Sequence, residues 1–401
     1  MVTDRCDLNS TEAHFTKLVE ALLRPEAYPE PVSQVELVET HISYLFLTGD
    51  HVYKVKKPVD FGFLDFTTLE KRLYYCKHEV EVNRRISPEV YQGVVEIREQ
   101  EGRYRVEGPG ATVEYAVKMR QLPRDRALSV LLGQNLVSEE DIQQLAVKIA
   151  EFHHNAETGP DIVAEGGLEA LRQNVTENFQ QTRKYVGLTL SQRMFDDLQA
   201  YSRAYLQRRE GLFRERAKQG SVRDCHGDLH TAQIFLDGGF SILDSIEFNH
   251  RFRYCDVASD LAFLAMDLDH YGHPELSETL VRAYVAESGD EELLQLLPFY
   301  KLYRAYVRGK VTSFRLDSPE ELPASEREEI AAAARSYFDL AYSYLPQVGR
   351  PALYIFGGLM GSGKSSVSSR LAAHWSLAYF SSDQIRKELT GLSPLEHRYE
   401  A

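Results

Sequence analysis

The chain has 401 residues, of which 43% are hydrophobic and 26% charged, the proportions of a globular protein and not of a disordered one. At roughly 150 residues per domain, this length predicts two to three domains. Asp and Glu number 60 against 46 Lys and Arg, a formal charge of −14. That argues against nucleic acid as a partner, which needs basic surface, but leaves room for a basic pocket that takes a small phosphate compound.

Cys6, Cys76, Cys225 and Cys255 lie far apart and form no C-x-x-C pair, against both a disulfide framework and a zinc site. Residues 1–10 carry Asp4, Arg5 and Asp7 and no apolar h-region, so no secretory signal is read there. The best apolar run, Leu261–Met266, has the length of a buried helix, not of a membrane span. The expectation is a reduced, cytoplasmic protein with no membrane partner. The sequence is silent on oligomeric state.

A helix is predicted over Glu12–Leu23, ended by Pro25 and Pro29. Val35–Thr40, Ile42–Leu47 and His51–Lys56 read as short strands, the last two joined by the turn Thr48-Gly49-Asp50. Thr68–Ile86 is a strongly charged helix stopped by Pro88. Val94–Arg98, Tyr104–Val106 and Val113–Met119 are further strands, with Glu101-Gly102 and Gly108-Pro109-Gly110 as turns. The first ~120 residues are therefore expected to form a mostly antiparallel sheet with one helix inserted after the third strand.

After Leu122-Pro123 the pattern turns helical. Ser138–His154 opens with a variant capping box, Ser138 and Asp141; Leu168–Tyr185 and Gln192–Arg214 follow. Ile234–Leu236 and Ser241–Leu243 flank Asp237-Gly238-Gly239 as a hairpin. Helices resume at Val257–Asp267, Leu276–Ala286, Glu292–Lys310 and Ala324–Leu345, the last capped by Ser325 and Glu328. Residues 346–351 read as a linker. Leu353–Phe356 reads as a buried strand running into glycines, with a second strand at Leu377–Phe380.

Residues 225–236 read Cys-His-Gly-Asp-Leu-His-Thr-Ala-Gln-Ile-Phe-Leu, and Asp244 follows Asp228 by 16 residues at the end of the hairpin. Phosphoryl transfer needs a carboxylate to orient the attacking hydroxyl and oxygen ligands for magnesium on the phosphates. Asp228, the amide of Gln233 five residues on, and Asp244 supply that set. The pattern resembles the aminoglycoside phosphotransferase family, a branch of the protein-kinase-like fold that includes choline kinases and has the signature H-G-D-x-x-x-x-N followed by a metal-binding Asp. The resemblance implies Asp228 as catalytic base and Gln233 and Asp244 as magnesium ligands. Asp260, in Asp256–Ala262, matches a helix that steadies the site and is read as structural. Residues 223–264 look still more like an uncharacterised bacterial group in which such a domain precedes a P-loop kinase domain. Gln233 departs from the family Asn by one methylene, and near-octahedral magnesium geometry is demanding.

Such a fold also needs a Lys on its third strand for the α/β-phosphates and a helix Glu to hold it. Alternation puts Lys54 and Lys56 on one face of the strand. Lys54 is favoured by its place after Val52-Tyr53, and Lys56 stands close behind. Glu79, ahead of Val80 and Asn83-Arg84-Arg85, matches the helix Glu, and Met119–Leu122 the adenine-holding hinge. The pair His226 and His230 has helical spacing for a metal, but Gly227 disfavours a helix and no third ligand is apparent. Cys225 reads as buried packing.

A second constellation runs from Gly358 to Ser365, a full G-x-x-x-x-G-K-[ST] between an apolar run and an amphipathic helix. Gly358, Gly361 and Gly363 let backbone N–H groups curl around a phosphate, Lys364 reaches the β/γ-phosphates, Ser365 ligates magnesium, and Ser366 opens the helix. Asp383 and Arg386 resemble the substrate-side groups of P-loop kinases; Asp383 also reads as a helix N-cap. Only 36 residues follow Ser365, so the chain is expected to stop inside this domain.

The expected fold is α+β: a bilobal protein-kinase-like unit with a small antiparallel-sheet N-lobe (1–122) and a mostly helical C-lobe (123–345). A linker (346–351) and the start of an α/β P-loop NTPase domain (352–401) complete it. The expected activity is ATP- or GTP- and Mg²⁺-dependent phosphate transfer to a hydroxyl of an unknown small molecule. The alternative is a pseudokinase-like nucleotide-binding module that regulates the P-loop unit. The acidic balance suits a cationic acceptor, although net charge does not define a pocket.

Overall fold

The structure, a computed structural model, describes residues 14–62, 64–317, 322–346, 354–358, 362–374, 378–381 and 385–387. The chain divides into two units, Met1–Leu345 and Pro346–Ala401. In the first, a helix over 14–22 (α1) precedes β1 (Glu36–Glu39), β2 (Ser43–Leu47), β3 (His51–Lys56), α2 (Leu69–Arg84), β4 (Tyr91–Gln100), β5 (Arg103–Val106) and β6 (Ala111–Arg120). The strands make one antiparallel sheet in the order β1-β2-β3-β6-β4-β5, with α2 inserted after the third strand as the turn pattern predicts.

β3 is central, with Lys54 opposite Leu45 of β2 and Val117 of β6. Side-chain alternation divides its residues between two buried faces. Tyr53 and Val55 pack with Phe15, Leu18 and Leu22 of α1 and with Phe46. Lys54 and Lys56 leave from the other face and pair with Glu79 of α2. Thr68 starts α2 by accepting the Lys71 N–H at 3.3 Å, one of the amides that no helical carbonyl can serve.

The second part of this unit is mostly helical. Its elements are α3 (Leu128–Gly133), α4 (Glu139–Asn155), α5 (Pro160–Gly166), α6 (Leu168–Thr182), α7 (Gln192–Arg208), α8 (Glu210–Lys218), β7 (Val222–Asp224), β8 (Ile234–Leu236), β9 (Phe240–Ile242), α9 (His250–Arg253), β10 (Tyr254–Asp256), α10 (Val257–His270), α11 (Pro274–Ser288), α12 (Leu297–Phe314) and α13 (Ala324–Ser343). Every residue of α10 from Val257 to Leu268 is buried, the carboxylates of Asp260 and Asp267 among them, both met by backbone N–H groups. It packs against α11 and α12, and its flanks join one large apolar core. Ser138 and Asp141 form the expected capping box on α4. The unit is thus an α+β arrangement of two lobes, one built on the sheet and one on helices. No helix among the described residues is long and apolar enough to cross a membrane.

Three sequence expectations differ. The single helix over Gln192–Arg214 is two, α7 and α8, meeting at Arg209 (φ −102°, ψ 11°). The break turns α8 so that Arg216 meets Asp256 and Asp290, at 2.8 and 2.7 Å. The helix expected from Glu292 opens as a 3-10 turn, Glu291–Gln295, and α12 begins afresh with Pro298 in its first turn, where a missing N–H costs nothing. Ser325 does not cap α13: the helix starts at Ala324 after Pro323, with no side-chain cap, and Glu328 pairs with Arg335 instead.

In the second unit, α14 (Lys364–His374) follows the glycine-rich segment. Tyr354–Phe356 are not in a strand, nor are 378–380, and Ile355 is 81% exposed. A buried-type strand needs ladder partners on its flanks, and none pairs with these segments among the described residues. Leu353 and Leu377 lie outside the described residues.

Gly309 sets the approach of α12 to α13. A Cβ there would stand 2.9 Å from the ring of Phe338, which has no exposed surface and so no room to yield. Gly309→Ala gains about 0.5–1 kcal/mol of helix propensity but overpacks a filled core at about 1–3 kcal/mol. The expected net loss is about 1–2 kcal/mol, checked by urea unfolding.

Candidate active site

The two lysines that the sequence left as alternatives both hold Glu79, one on each oxygen. Lys54 Nζ is 2.8 Å from Glu79 Oε1, and Lys56 Nζ is 2.7 Å from Oε2. Their outer partners differ. Lys54 also binds Asp244, whose side chain is 41% exposed, whereas Lys56 binds Glu247, which is 5% exposed. Lys54 therefore stands at the open edge of the cluster and Lys56 at its base. Burial alone would raise the pKa of Glu79, but the two lysines outweigh it and hold the group at about 2. Glu247 moves the other way, raised by burial and by the neighbouring charge of Glu79 despite Lys56. Sequence reasoning missed Glu247; its only signal is the interval Asp244-x-x-Glu247.

Residues 225–233 form the loop between β7 and β8. Asp260 of α10 accepts the N–H of His226 at 3.0 Å and of Gly227 at 2.9 Å, and His153 of α4 meets the same carboxylate at 3.1 Å. Arg304 of α12 donates to the Gly227 carbonyl at 2.9 Å. Gly227 itself has φ +86°, and a Cβ would lie 2.8 Å from the Phe252 carbonyl oxygen, so only glycine fits. His226 Nδ1 accepts the Asp228 N–H at 3.3 Å, which leaves Nε2 to donate to the Leu243 carbonyl at 2.9 Å. Both ring nitrogens are thereby used, and His226 does not pair with His230 as a metal ligand. His153, Cys225 and Asp260 do converge. However, His153 is spent on Asp260 and Tyr284, and burial pushes the Cys225 thiol up, so the trio holds the loop and not a cation.

Asp228 sits at the tip of this loop with 36% of its side chain exposed, within 3.4 Å of His230 Nε2. Burial would raise its pKa, but His230, Arg308 and His226 outweigh that and hold the carboxyl well below its ordinary 3.8. His226 ties this loop to the segment that carries Asp244, since it also accepts the Ile246 N–H at its carbonyl at 3.0 Å.

Asp244 is clamped from the sheet side. The N–H groups of Ile242, Asp244 and Ser245 donate to Ser87 Oγ at 2.8 Å, Tyr91 Oη at 3.0 Å and Asn83 Oδ1 at 2.9 Å. Asp244 has φ +66°, a left-handed conformation uncommon outside glycine and one that functional sites often store. Gln233 Nε2 lies 3.4 Å from Asp244 Oδ2, so the amide and the carboxylate stand side by side. A half-turn of the amide presents its oxygen there. This all-oxygen donor set fits magnesium. So does the charge: Glu79, Glu247 and Asp244 against Lys54 and Lys56 leave one negative charge, to which Asp228 adds a second. At the predicted hinge, the Gln121 N–H is already given to the Asp50 carbonyl at 2.9 Å.

In the second unit, Lys364 opens α14 and its Nζ reaches back to the Gly358 carbonyl at 2.6 Å. Gly363 precedes it, and Ser365 and Ser366 lie in the first helical turn. Arg386 lies in a short helical segment, 385–387. Gly361 and Asp383 lie outside the described residues.

No family model matches the chain. Uncharacterized protein Rv2004c of Mycobacterium tuberculosis and uncharacterized protein Mb2027c of Mycobacterium bovis are each 31% identical to it over 356 residues, 88% of this chain and 68% of theirs. Among solved structures, a choline/ethanolamine kinase family protein from Mesorhizobium loti is 14% identical with a TM-score of 0.47, covering 82% of this chain and 98% of its own. The GDP complex of aminoglycoside 2'-phosphotransferase-IIIa is 14% identical with a TM-score of 0.46, over 82% and 98%. The chain belongs to the family of the two mycobacterial proteins.

Proposed function

We propose that the first unit is an ATP- or GTP- and Mg²⁺-dependent phosphotransferase acting on a hydroxyl of a small molecule. One observation carries the reading. The Lys54–Glu79 pair, the carboxylate of Asp244 and the amide of Gln233 converge, and His226 fastens Asp228 to the same segment. Lys54 would meet the α/β-phosphates and Glu79 would hold it. Asp244 and Gln233 would hold magnesium, which when bound neutralises phosphate charge.

Asp228 orients the acceptor hydroxyl. The hydroxyl oxygen bonds to the γ-phosphorus, the bond from that phosphorus to the bridging oxygen breaks, and the nucleoside diphosphate leaves with the electron pair. The proton passes to Asp228 and on to solvent. A carboxylate held so far below its ordinary pKa is a weak base, so its task is orientation. That suffices for a loose transition state in which little proton transfer is needed early.

In the second unit, Gly358, Gly361, Gly363, Lys364, Ser365 and Ser366 would cradle a second nucleotide's phosphates, with Asp383 and Arg386 toward its substrate. A regulatory, non-catalytic reading of the first unit rests on Gln233, whose amide nitrogen faces Asp244. Magnesium-dependent nucleotide hydrolysis that disappears in Asp228→Ala supports the enzyme. Nucleotide binding with no turnover supports the module.

The two lysines separate by experiment. Lys54→Met leaves Glu79 paired with Lys56 and is expected to lower turnover by about a hundredfold or more with little loss of stability. Lys56→Met strands Glu247 without a cation and is expected to cost about 3–5 kcal/mol in thermal and urea unfolding. Gln233→Asn is expected to lower the magnesium concentration for half-maximal rate several-fold, read by magnesium titration; identical curves would remove residue 233 from the metal site. Because the folded-state pKa of Asp228 lies below its ordinary value, the carboxylate stays ionised above that value. The rate should thus show no acid limb from Asp228 between about pH 8 and about pH 5. Asp228→Asn should lower it about 10²–10⁴-fold at every pH in that range.

A further inference from the structure

The groups around Asp228 are cationic, against the direction of the net charge. Arg304 and Arg308 lie one turn apart on α12 and face the same way. Arg304 is consumed by the carbonyls of Gly227 and Ser259, at 2.9 and 3.1 Å. Arg308 is not. Its Nη2 donates to Tyr337 Oη at 3.3 Å, and its guanidinium lies 5.2 Å from the centre of that ring. Its Nε is shielded from solvent with no hydrogen-bond partner among the described residues. Asp267 and Asp228 act on it only through space, and Asp267 is bound to the N–H and hydroxyl of Thr231. By contrast, the buried Arg72, Arg216 and Arg253 each hold a carboxylate.

The His230 geometry sharpens this. Its Nδ1 accepts the Ala232 N–H at 3.3 Å, so Nε2 carries a hydrogen. Arg308 Nη1 stands 3.5 Å from that Nε2. Two N–H donors therefore face one another, and His230 Nε2 is also 3.4 Å from Asp228 Oδ2. Asp228 serves the His230 donor, but Arg308 Nη1 meets only an N–H and its Nε has no partner among the described residues, and a guanidinium edge left so marks the place of an anion.

We propose that Arg308 and His230 form an anion subsite beside Asp228, so that the acceptor carries its own negatively charged oxygen group, a phosphate ester or a carboxylate. The inference rests on the phosphotransferase reading and names its substrate class. One imidazole separates Arg308 from Asp228, so the acceptor's hydroxyl and its anionic group are a few carbon atoms apart.

The test uses the full chain in a Lys364→Ala background, so that the glycine-rich loop does not compete for phosphate. Binding of inorganic phosphate, acetate and choline is measured by titration calorimetry with magnesium and a non-hydrolysable ATP analogue present. Phosphate or acetate is expected to bind and choline not to. Arg308→Gln is expected to weaken the anion about tenfold or more, and His230→Gln, which keeps a polar side chain there, about threefold or more. Whichever binds better, phosphate or acetate, identifies the ester or the acid. An anion that binds Arg308→Gln and His230→Gln as well as the parent, or choline binding in preference to both anions, overturns the subsite. If Arg308→Gln fails to fold by circular dichroism, His230→Gln decides alone. The analogue is scored separately. Analogue binding with no anion binding overturns the subsite and leaves the phosphotransferase reading, while Arg308-dependent anion binding in a protein that does not bind the analogue does the reverse. In turnover, glycerol 3-phosphate or glycerate should be used with a KM about tenfold or more below that of glycerol, and Arg308→Gln should raise that KM more than it lowers kcat.

Discussion

Glu79 carries a full charge with no exposed surface, and it does so because an ammonium sits on each of its oxygens. One pair taken out of water roughly breaks even against the cost of desolvating both ions, and a lone buried carboxylate would protonate. The doubled pair fixes α2 against β3 at a single height, because sliding either element by one residue would break two ion pairs together. Glu247 and Asp244 then complete the two lysines from the helical lobe, so the same cluster sets how the two lobes of the first unit meet.

The loop that carries Asp228 is rigid for a different reason. Its backbone is served by side chains from three helices: Asp260 of α10 takes two amides, Arg304 of α12 takes a carbonyl, and His153 of α4 braces Asp260. Every one of these partners is buried, so water does not compete for the bonds. The backbone at His226 and Gly227 is thereby fixed, and the next residue, Asp228, keeps its carboxylate part-exposed. The position of Asp228 is thus set by ordinary backbone satisfaction from polar groups behind it.

Much of this was legible in the chain. The β2–β3 and β4–β5 hairpins follow from turns such as Thr48-Gly49-Asp50 and Glu101-Gly102, and the Lys54/Lys56 face follows from a period of two, while the β3–β6 pairing had no local signal. Asp228, Gln233 and Asp244 stand out because local spacing brings them together. The failures share a cause. Whether Gln192–Arg214 runs straight depends on Arg216 finding Asp256 and Asp290, 40 and 74 residues away. Glu247 and Arg308 belong to no local pattern, since their roles come from partners 191 and 78 residues distant. Nor does net charge define the acceptor: a sum over 401 residues says nothing of which few charges the fold gathers around one oxygen.

The clamp of Ser87, Tyr91 and Asn83 on three amides of the Asp244 segment bears on how the unit is controlled. Many molecular switches work by swinging a helix like α2 outward, which needs the swung state to lie within reach of thermal energy. Of the three partners only Asn83 rides on α2, so an outward swing sacrifices its bond, at about 1 kcal/mol, and strips Glu79 of both lysines, which leaves a buried charge bare at about 3–5 kcal/mol. A penalty above about 3 kcal/mol keeps that state below one molecule in a hundred. The unit is latched in its assembled arrangement, and throttling it by moving α2 would require a partner able to supply several kcal/mol in return.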